Sequence, residues 1–171
     1  FSAQGTMPQQ IKTDPARFRQ IIFNLVGNAI KFTEKGRVTV TCRFMKTLPE
    51  PRLLIEIADT GIGIPQDKTE SIFDPFTQAD TTVARRFGGT GLGLSISRNF
   101  ARALGGDITV KSRPGKGSTF KVTLKTGDLQ GVPFLQPEEV AAAKEVFDAK
   151  EQPHWQFPKA RVLIVDDGAE N

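Results

Sequence analysis

The chain predicts an α+β fold: a two-layer sandwich in which a mixed, mostly antiparallel sheet carries its helices on one face. Three observations predict it. Phe18, Ile21, Ile22, Leu25, Ala29 and Phe32 recur at helical spacing and form one apolar stripe. Residues 37–45 and 52–58 then read as two successive strands, the second more apolar than the first. A second helical stretch near Leu92–Leu104 is followed by a second strand pair, 107–112 and 118–125. Helices and hairpins interleave here, and no regular strand–helix–strand alternation appears.

Each element has its own local signals. Asp14-Pro15 opens the first helix, with Asp at the N-cap and Pro at the first helical position. That helix is expected to end near Thr33–Gly36, with Gly36 as the stop. Leu48-Pro49-Glu50-Pro51 is a turn between the first two strands, and the second strand ends at Asp59. Residues 66–72 suit a short helix. Residues 77–90 show no periodicity and read as a mobile loop holding Thr81, Thr82, Arg85 and Arg86. Gly105-Gly106 stops the second long helix, and Gly115-Lys116-Gly117 turns the last hairpin. Beyond Gly127, Pro133, Pro137, Pro153 and Pro158 punctuate a linker, within which residues 137–147 suit a short helix. Residues 161–167 read as a buried strand ending in Asp166 and Asp167. One strand cannot make a domain, so this is expected to be the start of a second, truncated one.

Composition narrows the class. The 171 residues are 38% hydrophobic and 25% charged, which suits one soluble domain with a tail. No apolar run approaches the ~18 residues that a membrane-spanning helix needs, so no direct membrane contact is expected. The start, Phe1-Ser2-Ala3-Gln4-Gly5, shows no basic segment and no apolar core, and reads as a cut within a longer protein without a signal peptide. Cys42 is the one cysteine. It excludes an internal disulfide framework, fits a reducing compartment and reads as a buried, inert thiol, so a cytoplasmic location is expected. Residues 1–125 carry 19 Lys and Arg against 10 Asp and Glu, a net +9; residues 126–171 carry 4 against 9, a net −5. A basic body attracts polyanions such as nucleotides. No aromatic-interleaved basic stripe is present, so nucleic acid is not an expected partner.

Four segments carry the chemistry. On the first helix Asn24, Asn28 and Lys31 lie on one face, offset from the apolar stripe. A carboxamide oxygen is a hard neutral ligand that suits Mg²⁺, and a lysine one turn on can meet a phosphate; a plain solvated face reads the same way. Asp59-Thr60-Gly61-Ile62-Gly63-Ile64 follows a buried strand. Asp59 can accept a hydrogen bond from the exocyclic amine of adenine, and the two glycines let backbone approach a base closely, although a simple turn fits too. Phe73-Asp74-Pro75-Phe76 supplies an aromatic pair. Gly89-Thr90-Gly91-Leu92-Gly93-Leu94 precedes a helix, where free N–H groups and the helix dipole favour phosphate. It is not a dinucleotide fingerprint, because Ile96 occupies the third glycine position, and no P-loop motif exists in the chain.

Jointly and in this order, the four segments resemble the asparagine, first glycine, phenylalanine and second glycine boxes of the histidine-kinase ATP-binding catalytic domain. That domain belongs to the superfamily that also holds gyrase B, the MutL repair proteins and the heat-shock chaperone of about ninety kilodaltons. The resemblance runs from about Gln10 to Leu124, and Gly115-Lys-Gly-Ser118-Thr119-Phe120 is similar to the family's last glycine element. It implies a Bergerat-type fold with ATP and Mg²⁺ as cofactors. Asn28 would hold the metal, Asn24 would stand near metal or phosphates, and Lys31 would contact phosphate. Asp59 would read adenine, with Gly61, Gly63 and Ile64 shaping that wall and Thr119 beside the base. Gly89, Thr90, Gly91, Leu92, Gly93 and Leu94 would hinge a lid and carry phosphate contacts. Phe73 and Phe76 would brace that lid and the surface facing a substrate domain, and Arg85 and Arg86 would lie in it.

One position separates kinase from hydrolase. Hydrolytic relatives place a glutamate one helical turn before the metal asparagine to activate water; here that position is Asn24, which cannot act as a general base. Losing such a group removes about 10²–10⁴-fold of rate, so transfer to a histidine is expected, with slow hydrolysis. The alternatives are an ATP-hydrolysing conformational switch of the same superfamily and a non-catalytic nucleotide-binding scaffold. The only histidine, His154, lies between Pro153 and Trp155 in the linker, so the acceptor is expected on a separate helical dimerisation domain. The ending Val162-Leu-Ile-Val-Asp166-Asp167 resembles the first strand of a response-regulator receiver, with Gly168 where that family usually has Asn. The expected organisation is a catalytic domain over 1–127, a linker over 128–160 and a receiver fragment over 161–171. The parent protein would then be a hybrid sensor kinase, anchored, if at all, by segments outside this chain.

Overall fold

Asp14 opens the first long helix as its sequence predicts. In the computed structural model, which describes residues 1–46, 50–77 and 90–142, its Oδ1 accepts the backbone N–H groups of Ala16 and Arg17 at 3.0 and 3.1 Å. Pro15 takes the first helical position, where a missing N–H costs nothing. Helix α1 spans Pro15–Lys31 and buries Ile21, Leu25 and Ala29, with Phe18 and Ile22 packed at the edge of the same core. It ends before the expected window. Phe32 is the C-cap, its N–H donating to the Asn28 carbonyl at 3.0 Å. Gly36 therefore does not stop the helix. Its φ of +136° belongs to the next turn, where a side chain would run into Thr60 Oγ1.

The main sheet holds β1 (Ser2–Gln4), β3 (Val38–Met45), β4 (Arg52–Asp59), β5 (Asp107–Arg113) and β6 (Gly117–Lys125) in the order β1-β3-β4-β6-β5. β1 runs parallel to β3 and every other pair is antiparallel, so the sheet is mixed and mostly antiparallel. Alternation divides its faces. Leu53, Ile55 and Ile57 of β4 and Phe120, Val122 and Leu124 of β6 join Ile108 of β5 in one core with α1 and with Ala101 of α2 (Gly93–Ala103). On the opposite face Glu56 and Lys121 sit across from each other in register and form an ion pair at 2.5 Å. Cys42 is buried within the core, and burial pushes its thiol up to about 11, so it carries no thiolate near neutrality.

Residues 66–72 form not one helix but two 3₁₀ turns, Gln66–Lys68 and Ser71–Phe73. Helix α2 is one residue shorter at each end than expected, with Leu92 and Leu104 as its caps and Gly105 at φ +75° just beyond. The segment after Gly127 packs on the body as far as it is described. β7 (Phe134–Leu135) pairs antiparallel with β2 (Met7–Pro8), the Gln9 N–H donates to the Pro133 carbonyl, and Phe134 meets Phe44 of β3 at 5.3 Å between ring centroids. Residues 137–142 are helical. The rest of that expected helix, the core of the 48–51 turn, most of the 77–90 loop with Gly89, Arg85 and Arg86, His154, and the strand with Asp166 and Asp167 lie outside the described residues.

Candidate functional site

Helices α1 and α2 pack antiparallel, and that direction assembles one side of the site. The Arg17 guanidinium lies 5.8 Å from the centre of the Phe100 ring. Two turns on, Asn24 Nδ2 donates to Ser97 Oγ at 2.9 Å, and the Asn24 amide lies beside Gly93. The C-terminal end of α1, carrying Asn28 and Lys31, is thereby directed at the amino end of α2. Leu92, the N-cap of α2, supplies no side-chain cap, so the first-turn N–H groups have no intrahelical acceptor and carry the positive end of the helix dipole. Ser95 does not fill the gap, because its hydroxyl donates to the Leu92 carbonyl at 2.9 Å. Lys31 Nζ lies 5.3 Å from the centre of the Phe32 ring.

The other side is built around Asp59 at the end of β4. Its Oδ1 accepts two backbone N–H groups, from Gly61 at 2.9 Å and from Ser118 at 3.2 Å. Among the described residues Asp59 Oδ2 accepts no hydrogen bond. The turn that follows is tied to both neighbours. Ile62 N–H donates to the Phe32 carbonyl at the end of α1 at 3.2 Å, and Gly115 N–H donates to the Ile62 carbonyl at 2.7 Å. Ile64 N–H donates to Ser112 Oγ at 2.7 Å, and that hydroxyl donates to the Gly117 carbonyl at 2.9 Å. The glycines of this segment face protein backbone: a Cβ on Gly61 would run into the Phe32 carbonyl, and one on Gly63, at φ +71°, into the Arg113 carbonyl. Their smallness lets the turn dock on α1 and on the β5–β6 hairpin.

Thr119 is not brought to this wall. It pairs with Ala58, and both belong to the face that carries Glu56 and Lys121, whereas Asp59 and Ser118 belong to the core face. The residue beside Asp59 is Ser118, buried, with its Oγ 2.9 Å from Ser112 Oγ. Thr119, expected beside the base, thus lies on the sheet face opposite Asp59, because neighbouring residues of a strand point to opposite faces.

The aromatic pair divides. Phe73 is 7% exposed and packs edge-on to Phe120 at 6.5 Å, with the Arg98 guanidinium 4.5 Å over its ring. Phe76 is 75% exposed and holds a φ of +62°, a strained conformation for a bulky residue. Its N–H donates to the Gly91 carbonyl at 3.2 Å, so the two ends of the 77–90 segment are pinned together. A side chain on Gly91, itself at φ +69°, would press on the Phe76 backbone. Arg98 also meets Asp107 at 3.0 Å and Glu70 at 3.7 Å, joining the 3₁₀ turns to α2 and β5. Thr90 is exposed, Leu92 is half-buried and Leu94 packs against the core.

Sequence reasoning missed Ser97, Ser112, Ser118 and the Phe32 carbonyl. Ser118 lies within the last glycine element, but no motif marks Ser97, Ser112 or the Phe32 carbonyl. The signal within reach was strand parity, which puts Ser118 rather than Thr119 on the face of Asp59.

A family model described as "Histidine kinase-, DNA gyrase B-, and HSP90-like ATPase" matches residues 13–128. The aerobic respiration control sensor protein ArcB of Escherichia coli is 41% identical over 170 residues, covering 98% of this chain and 20% of that protein. The autoinducer 2 sensor kinase/phosphatase LuxQ of Vibrio parahaemolyticus is 40% identical over 166 residues, 95% of this chain and 18% of that protein. The sensor histidine kinase AruS of Pseudomonas aeruginosa is 45% identical over 141 residues, 75% of this chain and 14% of that protein. This chain thus spans a fifth or less of the length of these relatives. Among solved structures, full-length ShkA in complex with AMPPNP superposes with a TM-score of 0.61 at 33% identity, covering 79% of this chain and 25% of that one. The nucleotide-free catalytic domain of histidine kinase ThkA gives 0.56 at 33% identity, covering 68% of this chain and 70% of that one. Among the described residues no helix is long and apolar enough to cross a membrane. With a family model that covers most of the chain and a sensor protein 41% identical over nearly its whole length, the chain belongs to the histidine kinase-, DNA gyrase B- and HSP90-like ATPase family.

Proposed function

We propose that this chain binds Mg–ATP and passes the γ-phosphoryl group to a histidine on a separate helical dimerisation domain. The observation that supports the reading is the antiparallel α1–α2 junction: with Asn24 beside Gly93 and Ser97, the carboxyl end of α1 lies near the amino terminus of α2, whose N-cap residue makes no side-chain hydrogen bond, and such a terminus suits phosphate. Asp59, tied to α1 through the Gly61 turn and the Phe32 carbonyl, stands as the base-reading end of the same cleft. With Oδ1 occupied by two backbone amides, Oδ2 is the oxygen that would take the exocyclic amine of adenine.

The donor set fits magnesium. Asn28 offers one hard neutral oxygen, and among the described residues no three His, Cys, Asp or Glu side chains gather into a cage. Magnesium sites with few protein ligands are completed by phosphates and water. When bound, the ion neutralises phosphate charge. The chain's own task is positioning: Asp59 orients the base, Lys31 and the first-turn N–H groups of α2 hold the phosphates, and no carboxylate stands at position 24 to activate water. The phosphoryl group would pass from the bridging oxygen of ATP to an imidazole nitrogen, with ADP leaving. The partners proposed are ATP and the dimerisation and receiver domains of a parent sensor kinase.

The test mixes this chain with Mg²⁺, ATP labelled at the γ-phosphate and the purified dimerisation domain of the parent protein. Acid-labile, base-stable label on that domain, with slow hydrolysis by the chain alone, is the expected result. Robust hydrolysis without transfer points to a conformational switch. No adenine-nucleotide binding points to a scaffold.

A further inference from the structure

Asn24 is held between two helices. Its Nδ2 is committed to Ser97 Oγ at 2.9 Å, across 73 positions of sequence, and Ser97 is 1% exposed. Its oxygen occupies the space that Gly93 leaves, where a Cβ would lie 2.5 Å from Asn24 Oδ1. Close approach of the Asn24 amide leaves no room for a side chain at position 93, the first residue of α2.

We propose that Ser97 and Gly93 are positioning residues for the triphosphate end of the nucleotide. They fix the Asn24 carboxamide, and through it the spacing between α1 and the amino end of α2, so that Asn28 and the first-turn N–H groups address the same phosphates. The inference rests on the nucleotide reading above. The Arg17–Phe100 contact lies two turns away along α1, whereas the Asn24–Ser97 bond sits beside the amino end of α2.

The test compares two ligands on the wild-type chain and on Ser97→Ala, Asn24→Ala, the double variant and Gly93→Ala. Mg–AMPPNP reports both ends of the site; adenosine reports the base end alone. Affinities come from amide NMR titrations. Ser97→Ala is expected to weaken Mg–AMPPNP by about three- to tenfold, the size of one side-chain hydrogen bond, and to leave adenosine unchanged. The double variant is expected to be no weaker than Asn24→Ala, because both substitutions break one contact. Gly93→Ala is expected to show the same selective loss by displacing Asn24, and it carries the test if Ser97→Ala does not fold. Equal weakening of both ligands, full additivity in the double variant, or no effect on Mg–AMPPNP would overturn the proposal while leaving the nucleotide reading in place. A wild-type chain that binds neither ligand would overturn both.

Discussion

The Ser118 N–H and the Asp59 carboxylate, 59 positions apart, meet at 3.2 Å. The contact follows from the β4–β6 pairing, which runs to Ala58 opposite Thr119 and leaves the next residue of each strand free to turn toward the other. With Gly61 N–H on the same oxygen, Asp59 has one oxygen fixed by the fold.

That division separates binding from folding at Asp59. In Asp59→Asn an amide oxygen still accepts from Gly61 and Ser118, but an NH₂ replaces the oxygen proposed to read adenine. ATP affinity is expected to fall about ten- to a hundredfold, the worth of a hydrogen bond to a charged group, with little change in melting temperature. Calorimetric titration with ATP checks it; an unchanged affinity refutes the assignment.

Positions 118 and 119 give opposite forecasts. Thr119→Val lies on the face away from Asp59 and is expected to alter ATP affinity by no more than about twofold. Ser118→Ala keeps the N–H on Asp59 but loses the buried link to Ser112, and is expected to cost about 1 kcal/mol in a urea melt. A large affinity loss from Thr119→Val would instead favour the expected place of Thr119 beside the base.

Acid should loosen the fold at Asp107. Partial burial opposes its charge, but the Arg98 hydrogen bond, the Ile108 N–H and the charges of Arg98 and Arg102 outweigh burial and hold the carboxyl below the usual range. A carboxyl whose folded value lies below its unfolded one stabilises the fold at pH values above the unfolded value, near 3.9. That contribution is lost as pH falls through the folded value. Asp107→Asn is expected to melt earlier than wild type at pH 7, with the gap closing below about pH 4. Melting curves from pH 7 to 2.5 measure it, and a constant gap would contradict the assignment.

The segment after Gly127 is expected to support the domain. Phe134→Ala removes the ring contact with Phe44 and loosens the β2–β7 pair, for a loss of about 1 kcal/mol and a few degrees of melting temperature. An unchanged melt would show that residues 128–135 only lie against the body.

The α1 stripe, the Asp14-Pro15 cap, the strands and the order of the four motifs were all legible in the chain, because each depends on neighbours within about a turn or a strand's length. The spacing of Asn24, Asn28 and Lys31 on one helix and the position of Asp59 at a strand end were legible too, since both are local properties. Tertiary structure decided what those residues touch. It placed Ser118 beside Asp59 and Thr119 on the opposite face, sent Phe73 into the core and left Phe76 exposed, engaged Asn24 with Ser97, and folded β7 back on β2. Such contacts join positions tens of residues apart. They depend on strand register and helix direction, which only the packed core selects.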